Sequence, residues 1–94
     1  MDMDNAVDTI KEMVSQLKKL NEIAYNQYEP IASDLCSRIA PLDEVEYTLD
    51  RMLDFCGDDA VLGLFKAVCR HYFNIYPEMI SYQVNSYRET WDTE

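Results

Sequence analysis

Val7, Ile10, Val14, Leu17, Leu20, Ala24 and Tyr28 recur at intervals of three or four residues, and no glycine or proline interrupts them. That period is the signature of one face of an α-helix, so the first third of the chain is committed to a single long helix from about Asp4 to about Tyr28. Met13 and Ile23 widen the apolar stripe. Lys11, Glu12, Lys18, Lys19 and Glu22 belong to the opposite, solvated face.

The rest of the chain continues in the same style. It has only two glycines and three prolines, and no run of alternating apolar and polar residues lies between hairpin turn signals. Pro30 suits the first turn of a new helix, so "EPIASDLCSR" reads as a short second helix or a kinked extension of the first, burying Ile31, Leu35 and Ile39. After Pro41, "LDEVEY" predicts a helix start with Asp43 as N-cap, Glu46 three residues on, and Leu42 packed on Tyr47. Val45, Leu49, Met52, Leu53 and Cys56 form its apolar face, and Gly57 is placed to end it in a left-handed conformation. Asp58 or Asp59 caps the next helix. Its broad apolar face of Val61, Leu64, Phe65, Val68, Cys69, Tyr72 and Tyr76 predicts the centre of the bundle. Pro77 ends that helix and opens the last one, which spaces Ile80, Val84, Tyr87 and Trp91 along one side. The expected fold is all-α: one domain over residues 1–94, a compact bundle of four to five helices with a long N-terminal helix.

Composition enters through what it excludes. The 94 residues carry 18 acidic and 8 basic side chains, a net charge of −10. Such a surface repels phosphate backbones and anionic lipid, so direct binding to nucleic acid or membrane is not expected. The start, "MDMDNAVD", lacks the positive and apolar regions of a secretion signal, and no apolar run is long enough to span a bilayer, which predicts a cytoplasmic chain. Cys36, Cys56 and Cys69 each sit among apolar residues in a helical pattern, as reduced core thiols do.

No set of residues points to catalysis. His71 is the only histidine, and with Cys69 it has no zinc-type spacing. There is no glycine-rich phosphate loop, no nucleophile elbow and no calcium loop, so a non-enzymatic chain without metal or cofactor is expected.

Charge is concentrated instead. Residues 42–59 hold seven carboxylates, Asp43, Glu44, Glu46, Asp50, Asp54, Asp58 and Asp59, against one Arg51. Glu46, Asp50, Asp54 and Asp58 are four apart, which on a helix stacks one charge roughly every 6 Å of axis. Two readings compete: an ordinary solvated face that keeps the domain in solution, or a docking surface for a basic partner, mimicking the charge row of a nucleic acid. Among the aromatic residues, Tyr25, Tyr82 and Trp91 are the interface candidates. Tyr28, Tyr47, Tyr72, Tyr76 and Tyr87 are assigned to the core. Lys66 and Arg70, one turn apart, with His71 adjacent and Arg88 in reach, are expected to pair with the chain's own acids.

The segments "LKKLNEIAYNQYEPIASDLCSR", "LDRMLDFCGDD" and "LFKAVCRHYFNIYPEMISYQVNSYRETWD" resemble the short acidic helical proteins of conjugative and integrative elements and phages of Firmicutes. The resemblance is one of overall texture over most of the chain, and it transfers no functional residue. It implies a context in which small acidic proteins, anti-CRISPR inhibitors among them, occupy nucleic-acid-binding surfaces of defence proteins. The leading expectation is therefore an inhibitor or modulator whose acidic helical face covers a basic, nucleic-acid-binding partner such as a CRISPR effector. The alternative is a self-associating accessory module, a homodimer using the first and last helices.

Overall fold

A computed structural model describes residues 3–91, with side chains from residue 6 onward. Four helices follow one another among these residues: α1 (Met3–Cys36), α2 (Leu42–Leu53), α3 (Asp59–Tyr72) and α4 (Pro77–Trp91), with no strand among them. The all-α fold and the long N-terminal helix expected from periodicity are both present.

The segment after Pro30 extends α1 rather than forming a separate helix. Proline costs a helix one N–H, here the donor to the carbonyl of Asn26. Both Asn26 and Pro30 are exposed, so water can satisfy the freed carbonyl and the helix runs on to Cys36. At about 1.5 Å per residue, a helix of this length is roughly 51 Å long. It sets the longest dimension of the molecule, 57 Å against 30 and 17 Å for the others. The radius of gyration is 16.3 Å, where a compact chain of this size would have about 12 Å. The excess is the projecting half of α1.

The core lies around α3, which touches each of the other three helices, the central position predicted from its broad apolar face. Tyr28 and Leu35 of α1, Val45, Leu49 and Met52 of α2, Val61, Phe65, Val68 and Tyr72 of α3, and Ile80 of α4 are buried together. Ile31, Ile39 and Tyr47, expected inside, are exposed.

The helix ends also differ in detail. The helix predicted to start with Asp43 as its N-cap begins two residues earlier, at Leu42. Pro41 occupies the N-cap position without a side-chain hydrogen bond, so the Asp43–Glu46 capping box does not form. Asp43 and Glu44 instead lie in the first turn, where carboxylates complement the helix dipole. Asp58 does cap α3, accepting from the Val61 N–H at 3.2 Å. The apolar run before Pro77 leaves the helix at Tyr72, so Tyr76 belongs to the connection, and Pro77 opens α4.

The chain between α1 and α2 is tied down by the end of α3. The buried Tyr72 hydroxyl accepts from the Ala40 N–H at 3.0 Å and donates toward the carbonyls of Leu35 (2.8 Å) and Arg38 (3.0 Å). Tyr76 Oη donates to the Ala40 carbonyl at 2.7 Å, and His71 Nε2 donates to the Arg38 carbonyl at 3.0 Å. Arg38 adds an ion pair to Asp34 at 2.8 Å and a second to Glu44, joining the end of α1 to the start of α2. Tyr72 and Tyr76 stack with planes 4° apart. These contacts account for the only histidine and two of the seven tyrosines.

Candidate functional site

The apolar stripe of α1 is one continuous helical face with two fates. From residue 24 onward Ala24, Tyr28, Ala32 and Leu35 are buried, chiefly against α3. Before residue 24 the same face is bare: Val7, Ile10, Met13, Val14, Leu17 and Leu20 remain between 43% and 59% exposed. The bundle covers only part of the stripe, for a geometric reason. Helices of 12, 14 and 15 residues span only about 18–23 Å each, too little to cover α1. Those lengths were legible in the sequence, and comparing them with the length of the stripe is the signal that reveals the overhang. Ile23, expected to widen the stripe, is exposed and lies well round the helix from it instead.

Where the overhang leaves the bundle, a notch of about 320 Å³ opens. Leu17, Leu20 and Asn21 form one side, and Asp54, Phe55, Gly57, Asp58 and Trp91 form the other. Its apolar lining continues the bare stripe onto the end of the bundle.

Trp91 is a structural piece of that wall as much as an exposed contact. Its Nε1 donates to the Leu53 carbonyl at 2.8 Å and its ring lies over Gly57. A Cβ on Gly57 would stand 2.8 Å from Trp91 Cζ3. Gly57 is not in the left-handed conformation expected of a helix-ending glycine, and no described residue has a positive φ. What position 57 requires is the missing side chain. Of the other aromatic candidates, Tyr82 is exposed, while Tyr25 is half-buried against the core.

The seven carboxylates of residues 42–59 do not form one uniform face. Glu44 pairs with Arg38, and Asp58 is spent on the cap of α3. Asp50 Oδ1 accepts from the buried Gln83 Nε2 of α4 at 2.6 Å. Asp43, Glu46, Asp54 and Asp59 have no hydrogen-bond or ion-pair partner among the described residues; Glu46 is half-buried and the other three are exposed. Arg51, the one cation of the segment, lies over the Tyr47 ring, 5.4 Å from its centroid.

The expected pairing of Lys66 and Arg70 with the chain's own acids is not found among the described residues, where neither they nor Arg88 has a carboxylate partner. Together they rim a groove of about 340 Å³ between α3 and α4. Its apolar floor is Leu62, Phe65, Val84 and Tyr87. Cys56 and Cys69 are buried and Cys36 is half-buried, all as free thiols. Burial pushes Cys69 up to about 12; burial, reinforced by the neighbouring Cys69, does the same to Cys56. Among the described residues no group of three or more metal-ligating side chains converges, and no helix is long and apolar enough to cross a membrane. Comparison of the chain with protein-family models, with curated proteins and with solved structures finds no match in any of the three.

Proposed function

We propose that this chain is a non-enzymatic protein-binding module that engages a helical partner through the apolar face of residues 7–20. One observation carries the reading: the face that α3 buries beyond residue 24 continues, bare, along the rest of the same helix. Most helical stability in proteins comes from covering an amphipathic face rather than from the helix's own propensity. A contiguous apolar stripe rimmed by Lys11 and Lys18 has the pattern of a helix that docks on another helix.

The test is a photo-crosslinking amino acid placed at Ile10 and, as control, at Lys19, which lies about two and a half turns away and therefore on the opposite face. The reading expects protein adducts from position 10 and few from position 19 in cells that express the chain. No adduct from position 10 above the control overturns it.

A second reading keeps the acidic segment as a docking face for a basic, nucleic-acid-binding partner. It is favoured by the four carboxylates, Asp43, Glu46, Asp54 and Asp59, that have no internal partner among the described residues. Converting these four to Asn or Gln, while leaving Glu44, Asp50 and Asp58 to their structural tasks, should weaken capture of such a partner and flatten its salt dependence. Capture unchanged by the fourfold variant removes this reading.

A further inference from the structure

We infer that the partner of the bare face is a second copy of this chain, paired antiparallel along residues 3–21 so that each overhang ends in the notch beside the other copy's Trp91. The inference rests on the docking role of α1 proposed above and names its occupant.

The spacing of the bare residues is that of a coiled-coil seam. If Val7 is set at position a of a heptad, Val14 is the next a, Ile10 and Leu17 fall at d, and Ala6, Met13 and Leu20 fall at g. Three apolar positions in seven make a wide strip that suits close pairing of two helices. Six side chains, each about half exposed, amount to on the order of 600 Å² in each copy and 1,200 Å² for a pair, the lower end of what specific interfaces bury. A dimer dissociating in the micromolar range is the corresponding expectation.

Direction follows from sterics. The face that would form the seam is the face occupied by the chain's own α3 from residue 24 onward. A parallel partner helix in register would run along that face into the first bundle, and its own bundle would claim the same space. An antiparallel partner enters from the free end and stops where the bundle begins.

Charge supports the same direction. Residues 24–94 hold thirteen acids against five bases, a net of −8, whereas residues 6–23 are balanced by Asp8, Glu12 and Glu22 against Lys11, Lys18 and Lys19. An antiparallel pair places the two acidic bundles at opposite ends, separated by more than a Debye length of about 8–10 Å. A parallel pair sets them side by side.

Register follows from the length of the overhang. With the first turn of one helix reaching about residue 21 of the other, Val7 faces the partner's Leu17, Ile10 faces the partner's Val14, and the two-fold axis passes near residue 12. Ala6 then lies by the partner's Leu20, at the mouth of the notch formed with Phe55, Gly57 and Trp91. The interface is isologous and closes on itself, so it yields a dimer rather than a fibre.

Sedimentation equilibrium of the full chain, from low micromolar to several hundred micromolar, tests the association. Wild type should pass from monomer to dimer across that range, and Ile10→Glu with Leu17→Glu should weaken association at least a hundredfold. Lys19→Ala, on the opposite face, should leave it unchanged. A wild-type chain monomeric throughout, or a dimer indifferent to the double substitution, overturns the inference. Direction is read by disulfide trapping in a Cys36→Ser background. Val7→Cys mixed with Leu17→Cys should give the mixed dimer in preference to either homodimer. A dominant Leu17→Cys homodimer overturns the antiparallel arrangement. If the purified chain is monomeric while position 10 still photo-crosslinks to a different protein, the homodimer falls and the docking reading stands; if position 10 gives no adduct either, both fall.

Discussion

The indole of Trp91 lies against Gly57 so closely that a single added methyl group would stand 2.8 Å from Cζ3 and 3.1 Å from Cη2. This contact joins the end of α4 to the turn between α2 and α3, 34 residues away in the chain, and the hydrogen bond from Nε1 to the Leu53 carbonyl holds the ring in place. Gly57→Ala must displace the ring, with an expected loss of about 1–3 kcal/mol, the usual cost of overpacking. Gly63 makes the opposite case: it sits exposed inside α3, and a methyl group added there would meet nothing within 4 Å. Gly63→Ala should stabilise by roughly 0.5–1 kcal/mol, since alanine is the better helix former. Urea denaturation of the two variants should give midpoints on opposite sides of wild type.

Tyr72→Phe should be costly although it removes one atom. The hydroxyl is buried, accepts from Ala40 and donates toward Leu35 and Arg38. Its loss leaves a buried N–H without a partner, at about 1–3 kcal/mol. Tyr82→Phe, on an exposed ring, should be neutral in the same urea titration.

Gln83 is fully buried; its Nε2 is held by Asp50 and its Oε1 has no partner among the described residues. Asp50→Ala strands the amide donor and should destabilise by about 1–3 kcal/mol, whereas Gln83→Met removes donor and orphan acceptor together and should be near neutral. In the Gln83→Met background, Asp50→Ala should lose most of its effect. Additive costs in this double-mutant cycle would contradict the pairing.

The thiols give a pH prediction. Cys56 and Cys69 are pushed from 9.0 up to about 12 in the folded chain. Because the folded state holds these protons more tightly than the unfolded state, the associated stability is fully present below about pH 9 and is lost as pH rises toward 12. Denaturation midpoints between about pH 8 and about pH 11 should therefore fall, and fall less in a Cys56→Ala, Cys69→Ala variant. A thiol reagent at about pH 8 should label Cys36 first and the two buried cysteines only on unfolding.

The local sequence determined what local physics controls. Periodicity with few breakers made the chain helical, the Asp58–Asp59 pair announced the cap of α3, Pro77 the start of α4, and the breadth of the Val61 to Tyr72 face marked the central helix. These features depend on residues within a turn or two of one another, so they can be read along the chain. Tertiary structure alone decided what covers each face. Val14 and Tyr28 obey the same period, and only the position of α3 makes one bare and the other buried. Glycine at 57 looks the same in sequence whether it serves a left-handed turn or a close approach; the approach of Trp91 distinguishes them. Asp50 and Asp54 are equivalent on a helical wheel, yet Asp50 alone meets the amide of Gln83 from 33 residues away. Such partners are brought together by packing between distant segments, which periodicity does not encode.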